Sequence, residues 1–129
     1  MINTNNDKII RLRLFNEDDL DDVVKVNREC LPENYAPYFF MEIYYKYPKG
    51  FWVAVNVSIN SIIGYCMWRT EKSFSYFKKS LRRIKVAHLI SIAVLKDQRR
   101  KKIGQKLLNH GIESMKNEYE VKECYLEVR

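Results

Sequence analysis

Val86 to Leu108 reads VAHLISIAVLKDQRRKKIGQKLL, and this stretch decides the fold. Its β-branched and apolar first half predicts a central strand from Lys85 to Leu95. After a short basic loop, apolar residues recur at helical spacing over residues 99–118, which predicts a helix with one buried face. Four consecutive cations, Arg99 to Lys102, stand at the helix start, and Gly104 lies in its first turn. Because N–H groups at a helix start are unpaired, this arrangement suits phosphate oxygens.

Two common nucleotide-binding motifs are absent. The sequence contains neither GxxxxGKS/T nor GxGxxG, which excludes a Walker loop and a dinucleotide-binding fold of the usual kind. Taken alone, basic residues before a helix are equally consistent with an ordinary solvated helix start.

The sequence on either side predicts one α/β domain over residues 1–129. Residue periodicity gives the order strand, helix, helix, strand, strand, strand, helix, strand. The predicted outer elements are a strand at 8–15, a helix capped by Asn16 and ending near Glu29, a helix at 38–47, hairpin strands at 51–57 and 61–70 around a turn at 58–60, a basic aromatic excursion at 71–84, and a strand at 122–129.

Positive charge is concentrated in the middle of the chain. Residues 69–106 contain thirteen Lys or Arg and two acids, a balance of +11 against +7 for the whole chain. Such a block favours an anionic partner, which could be nucleic acid, a ribosome or a phosphorylated cofactor, although a solvated basic surface is the plainer alternative. Three aromatic residues within it, Phe74, Tyr76 and Phe77, add rings on which bases could stack.

The remaining composition predicts a cytoplasmic protein without a structural metal. No apolar run reaches the roughly 18–20 residues of a membrane span, and residues 1–8 lack an apolar signal core. Cys30, Cys66 and Cys124 are odd in number and widely spaced, which favours three reduced, buried thiols. Two histidines and no Cys-x-x-Cys pair argue against a zinc site.

The segment from Arg99 to Gly104 resembles the acyl-CoA-binding signature of the GNAT acetyltransferases, Arg/Gln-x-x-Gly-x-Gly/Ala. Other segments are similar to the protein N-terminal acetyltransferases of archaea and to the related NatA catalytic subunit of eukaryotes. The resemblance covers about residues 9–129. The segments that carry it are LPENY at 31–35, IGY at 63–65, His88 with SIAV at 91–94, and YLEVR at 125–129.

This resemblance implies a GNAT fold, a mixed and mostly antiparallel sheet flanked by helices, and acetyl-CoA as co-substrate. On this basis the 129 residues form one domain that lacks the last helix and strands of the family. The implied reaction is acetylation of the α-amino group of protein N-termini. The chain departs from the signature at Lys102, where the family has glycine.

The resemblance also assigns roles to individual residues. His88 and Glu127 are the implied catalytic pair, which would take the substrate's proton through a water molecule. Glu33, Tyr35 and Arg129 are implied at the peptide site. The expected contacts of acetyl-CoA are Ile92, Ala93, Val94, Arg99, Arg100, Lys101, Lys102, Ile103, Gly104 and Gln105.

Two other classes of function stay open from the sequence. The basic region at 69–106 could contact a ribosome or RNA, alone or together with catalysis. The chain could instead be a catalytically inactive subunit, and an auxiliary subunit could join an active one. A nucleic-acid-binding module alone would not need His88, Glu33 and Glu127 in the order of the family.

Overall fold

The computed structural model contains one sheet of five strands. It describes residues 9–75, 77–78 and 81–127, but not the side chains of Arg100 and Lys101. The strands lie in chain order, antiparallel except for a parallel last pair. This confirms the predicted mixed, mostly antiparallel α/β sheet. The strands are β1 (Ile10–Leu14), β2 (Phe51–Asn56), β3 (Ser61–Phe74), β4 (Arg83–Val94) and β5 (Glu123–Tyr125).

Helices cover both faces of the sheet. On one face, α1 (Leu20–Cys30) and α2 (Pro37–Lys46) bury a core that includes Val53 and Tyr65. On the other, α3 (Ile103–Tyr119) packs against neighbouring strand residues such as Trp68. Side chains alternate across a strand, so both faces of β2 and β3 are buried. No helix in the described part of the chain is long and apolar enough to cross a membrane.

The start of α1 follows from local sequence. Asn16 caps a short 3-10 turn, Glu17–Asp19, by accepting a hydrogen bond from the amide of Asp18 at 2.9 Å. Asp19 in turn accepts from the amide of Asn16 at 2.9 Å and from both ends of the Arg13 guanidinium at 2.7 and 2.9 Å. The predicted cap at Asn16 is therefore confirmed, and the salt bridge ties β1 to the helix.

The predicted excursion at 71–84 is wrong at both of its ends. β3 continues to Phe74 and β4 begins at Arg83, where the two strands still pair in register. Lys72 and Arg83 occupy exposed positions of this long hairpin, and Arg83 lies over the Phe74 ring at 5.8 Å. A strand with one face in solvent tolerates charged residues on that face. The polar residues after Thr70 therefore do not indicate the end of β3.

Three smaller expectations also differ. A 3-10 turn, Lys96–Lys101, precedes α3, which begins at Ile103 because Lys102 adopts a left-handed conformation, with φ 58°. Of the three thiols, only Cys66 is buried; the other two are half-buried. β5 ends at Tyr125, inside the strand predicted at 122–129, and Leu126 beyond it is 47% exposed.

Candidate active site

Three adjacent strands place the predicted catalytic histidine between two other side chains. His88 on β4 pairs with Arg69 on β3 and with Tyr125 on β5. Glu71 lies two residues after Arg69 and therefore on the same face of β3. The site thus begins as a row of polar side chains across the sheet, set by strand register.

The His88 ring is fixed on three sides. Its Nδ1 lies 2.7 Å from Oε2 of Glu71, and its plane stacks on Tyr125 with centroids 4.3 Å apart at 11°. Its Nε2 lies 3.4 Å from Oε1 of Glu127, which is 65% exposed. The structure thus brings together His88 and Glu127, the two residues predicted to form a catalytic pair.

Glu71 is the member of this group that the sequence analysis missed. Its carboxylate accepts hydrogen bonds from Nε of Arg69 at 2.8 Å, from His88, and from the hydroxyl of Tyr125. Partial burial acts to raise the pKa of Glu71, but the hydrogen bonds from Tyr125, His88 and Arg69 outweigh it and lower the pKa to about 2. A signal was present in the sequence, since only two acids occur in the basic block at 69–106.

Beyond His88, β5 separates from β4. β5 pairs with β4 only from Val86 to His88, whereas β3 pairs with β4 as far as Val94. At the point of separation, Ile90 is an extra residue in β4, because its neighbours Leu89 and Ser91 pair with consecutive residues of β3. In the described part of the chain, the β5-facing edge of β4 after His88 therefore has no strand partner.

Three cavities follow this edge. The first, about 250 Å³, is lined by His88, Glu127 and Glu33. The second, about 340 Å³, also contacts Glu33 and Glu127 and extends to Ile92. The third, about 390 Å³, runs from Ile92 to Gly104. Because successive cavities share lining residues, they form one groove from the histidine to the start of α3.

The LPENY segment forms one wall of the groove. Asn27 of α1, fully buried, donates from Nδ2 to the carbonyl of Glu33 at 3.1 Å and to the hydroxyl of Tyr65 at 3.0 Å. Tyr35 donates from its hydroxyl to the carbonyl of Ile90 at 3.4 Å and stacks on Phe39. Glu33 itself is exposed and lines the first two cavities. Both predicted peptide-site residues of this segment therefore lie at the groove.

The far end of the groove is the predicted phosphate loop. Arg99 donates from Nε to the carbonyl of Val94 at 2.8 Å, which holds the loop against the end of β4. Lys102 is exposed, and its left-handed backbone directs the chain into α3. Among the described residues, a Cβ atom at Gly104 would meet only Val94, at 3.9 Å, so α3 leaves space at this position.

Not all predicted contact residues offer side chains to the groove. Seven of them line its last cavity: Ile92, Ala93, Val94, Arg99, Lys102, Gly104 and Gln105. Ile103 is fully buried in the core and leaves only its backbone for a ligand. The side chains of Arg100 and Lys101, and the whole of Arg129, lie outside the described residues. Within the described ranges, no three His, Cys, Asp or Glu side chains are grouped to hold a metal ion.

Curated relatives match most of the chain. An N-alpha-acetyltransferase of Saccharolobus solfataricus is 46% identical over 118 residues, which are 92% of this chain and 70% of the relative. A second one, from Sulfurisphaera tokodaii, is 43% identical over 122 residues, 95% of this chain and 72% of the relative.

A solved structure and a family model also match this chain. Naa20 of Chaetomium thermophilum in complex with a bisubstrate analogue superposes with a TM-score of 0.75 at 29% identity, over 92% of this chain and 62% of its own. The model of the acetyltransferase (GNAT) family matches residues 20–129. Together with the fold, this match shows that the chain belongs to the acetyltransferase (GNAT) family.

Proposed function

We propose that the chain transfers an acetyl group from acetyl-CoA to the α-amino group of protein N-termini in the cytoplasm. Acetyl-CoA is the co-substrate of GNAT acetyltransferases, as the sequence resemblance implied. The observation that carries the proposal is the position of His88 and Glu127, where the groove along β4 meets the cavity beside Glu33. The names of the archaeal relatives support the same reaction.

In this proposal, acetyl-CoA lies along the free edge of β4. The backbone of residues 92–94 would pair with the amides of the pantetheine arm, as an added strand does. Residues 99–105 would hold the pyrophosphate through amides at the start of α3 and through cations. The open space at Gly104 fits this use, because nothing in the described residues fills the place where phosphate would approach.

The peptide would enter at the LPENY segment. Glu33 and Glu127 place two carboxylates around a cavity whose other walls include Tyr35 and Phe39. A positively charged α-amino group is attracted to such carboxylates. We infer that Glu33 and Tyr35 select the first residue of the substrate.

The α-ammonium group of the substrate must lose one proton before it can react. An α-ammonium group has an ordinary pKa of about 7.7–8.0 and cannot attack until it is deprotonated. His88 and Glu127, 3.4 Å apart at the cavity, would take this proton through a water molecule. The amine nitrogen then forms a bond to the thioester carbonyl carbon, and the carbon–sulfur bond breaks. A backbone N–H of β4 stabilises the oxyanion, and the leaving sulfur takes up one proton as the new amide nitrogen loses its second.

The test uses a short peptide with a free α-amine and one internal lysine, incubated with acetyl-CoA. Mass spectrometry should place the acetyl group on the α-amine, and an N-formylated copy should stay unmodified. His88→Ala and Glu127→Gln should each lower kcat by about 100- to 10,000-fold.

The chain's other histidine gives a matched control. His110 is exposed and its Nδ1 lies 2.9 Å from the carbonyl of Lys106, outside the groove, so His110→Ala should keep full activity. Full turnover in both His88→Ala and Glu127→Gln would show that neither residue carries the proton.

The β3–β4 hairpin supports a second candidate function, contact with ribosomal or other RNA. Phe77 is 82% exposed and Leu81 is 97% exposed, beside exposed cations such as Lys78 and Arg83. Rings and cations together suit RNA bases and phosphates. Binding of a labelled RNA should weaken steeply with salt and be lost in Phe77→Ser with Arg83→Ser, while acetylation of a free peptide is unchanged.

A further inference from the structure

Glu71 makes the densest set of polar contacts around His88. One carboxylate oxygen, Oε2, accepts from Nε of Arg69 at 2.8 Å and lies 2.7 Å from Nδ1 of His88. The other oxygen accepts from the hydroxyl of Tyr125. Each of these partners comes from a different part of the sheet: β3, β4 and β5. Glu71 therefore joins three strands at the histidine.

These contacts determine which nitrogen of the imidazole carries a proton. An ionised carboxylate is an acceptor only, so a hydrogen bond between it and Nδ1 requires a proton on Nδ1. In the neutral ring, the other nitrogen, Nε2, is then the one with a free lone pair. Nε2 is also the nitrogen that faces Glu127 and the first cavity.

The same group fixes the direction of the ring. Tyr125 stacks flat on the imidazole, at 4.3 Å and 11°, while its hydroxyl is held by Glu71. Rotation of the ring would break both the Nδ1 contact and this stack. A base acts only when its lone pair points at the proton that it removes, so this restraint bears directly on proton transfer.

We propose that Glu71 is the positioning residue of the site, which holds His88 as the Nδ1–H tautomer with Nε2 directed at the substrate cavity. This inference rests on the proposed function, in which His88 accepts the substrate's proton. It assigns Glu71 a role that Glu127 cannot fill, because Glu127 lies at the opposite nitrogen and is largely exposed. The arrangement follows the logic of a base that is oriented by a third group.

The chain offers a close control for Glu71. Glu123 on β5 also links its strand to the β3 side of the sheet, through a hydrogen bond from the hydroxyl of Ser75. It pairs with Val86, two residues before His88 on β4. Glu123→Gln therefore removes a comparable charge from the same region, while the polar partners of the imidazole, Glu71 and Glu127, are kept. Differences between Glu71→Gln and Glu123→Gln report on the histidine.

The first experiment reads the tautomer directly. Two-bond and three-bond ¹H–¹⁵N correlation spectra of the ¹⁵N-labelled chain, at a pH where the rings are neutral, distinguish Nδ1–H from Nε2–H. His88 should be Nδ1–H in the unmodified chain and in Glu123→Gln, and should become a mixture in Glu71→Gln. His110 serves as the internal reference. An Nε2–H ring in the unmodified chain, or no change in Glu71→Gln, would overturn the proposal.

The second experiment measures turnover of the peptide. Glu71→Gln should lower kcat by at least tenfold while the affinity for acetyl-CoA changes less than twofold, and Glu71→Asp should restore part of the loss. Equal kcat values for Glu71→Gln and Glu123→Gln would also overturn it. Absence of any peptide acetylation by the unmodified chain would refute the proposed function instead, and the spectra would still report whether Glu71 sets the tautomer.

Discussion

Gly111 on α3 packs against the indole of Trp68 on β3 so closely that a Cβ atom at Gly111 would lie 2.2 Å from Nε1. Two more indole atoms would lie at 2.9 and 3.2 Å, and the indole is 1% exposed. A rigid buried ring cannot move aside as a flexible side chain can. The absence of a side chain at this position therefore sets the distance between α3 and the sheet.

Gly111→Ala should destabilise the fold by about 1–3 kcal/mol, the range for overpacked cores, despite the better helix propensity of alanine. Urea denaturation measures the difference. Gly104→Ala on the same helix is the matched control, because its Cβ would meet only Val94, at 3.9 Å, among the residues that the structure describes. That variant should gain up to about 1 kcal/mol of stability. Equal stability of the two variants would show that α3 shifts freely on the sheet.

Lys102→Gly should separate backbone strain from phosphate binding. Lys102 has φ 58° and ψ 28°, a conformation that costs a residue with a Cβ about 1–2 kcal/mol. Glycine relieves this cost but increases the entropy of the unfolded chain, so we expect stability to rise by less than about 1 kcal/mol. Loss of the ammonium should weaken acetyl-CoA binding by about 1–2 kcal/mol at low ionic strength and by less at high salt.

Lys102→Ala provides the comparison for calorimetric titration with acetyl-CoA. It loses the same charge but keeps the strained backbone, so its affinity should fall as in Lys102→Gly while its stability does not rise. If Lys102→Gly binds acetyl-CoA as well as the unmodified chain at low salt, the backbone alone holds the pyrophosphate.

Local signals in the sequence predicted the elements that depend on neighbouring residues. The cap at Asn16, the turn at 58–60 and the central strand before α3 each need only a short stretch of chain to specify them. The family resemblance, rather than a local signal, predicted that His88 and Glu127 lie together, and the two side chains are 3.4 Å apart. These parts of the fold and of the candidate site were accessible without coordinates.

Glu71 was not accessible in this way, because its partners are distant in sequence. His88 lies 17 residues away and Tyr125 lies 54 residues away. Their contact depends on the register of β3 with β4 and of β4 with β5, which no local pattern fixes. The polar stretch after Thr70 also hid the continuation of β3, on which Glu71 stands. The left-handed backbone at Lys102 was missed for a related reason, since lysine does not mark such a position.

Acid should weaken the fold partly through Glu71. Burial raises the pKa of this carboxyl, but hydrogen bonds from Tyr125, His88 and Arg69 lower it to about 2, below its ordinary 4.5. A lowered pKa means that the stabilising contribution is complete above about pH 5 and is lost as the pH falls from 4.5 towards 2. Urea midpoints at pH 6 and pH 3 should therefore differ less for Glu71→Gln than for the unmodified chain. The same pH dependence in both chains would contradict this assignment.

Asn27→Ala should loosen the wall of the peptide site. The buried amide of Asn27 holds the carbonyl of Glu33 and the hydroxyl of Tyr65, and Tyr65 in turn shares a 2.6 Å hydrogen bond with Ser91 on β4. Removal of the amide leaves buried groups without their partner, which costs about 1–3 kcal/mol of stability. It also releases Glu33, so the KM for a peptide should rise several-fold while the affinity for acetyl-CoA is kept.

Tyr65→Phe is the control, because it removes the hydroxyl from Asn27 and Ser91 but leaves Asn27 bonded to the carbonyl of Glu33. If the two variants raise KM equally, stability alone accounts for the effect and Asn27 does not anchor the loop.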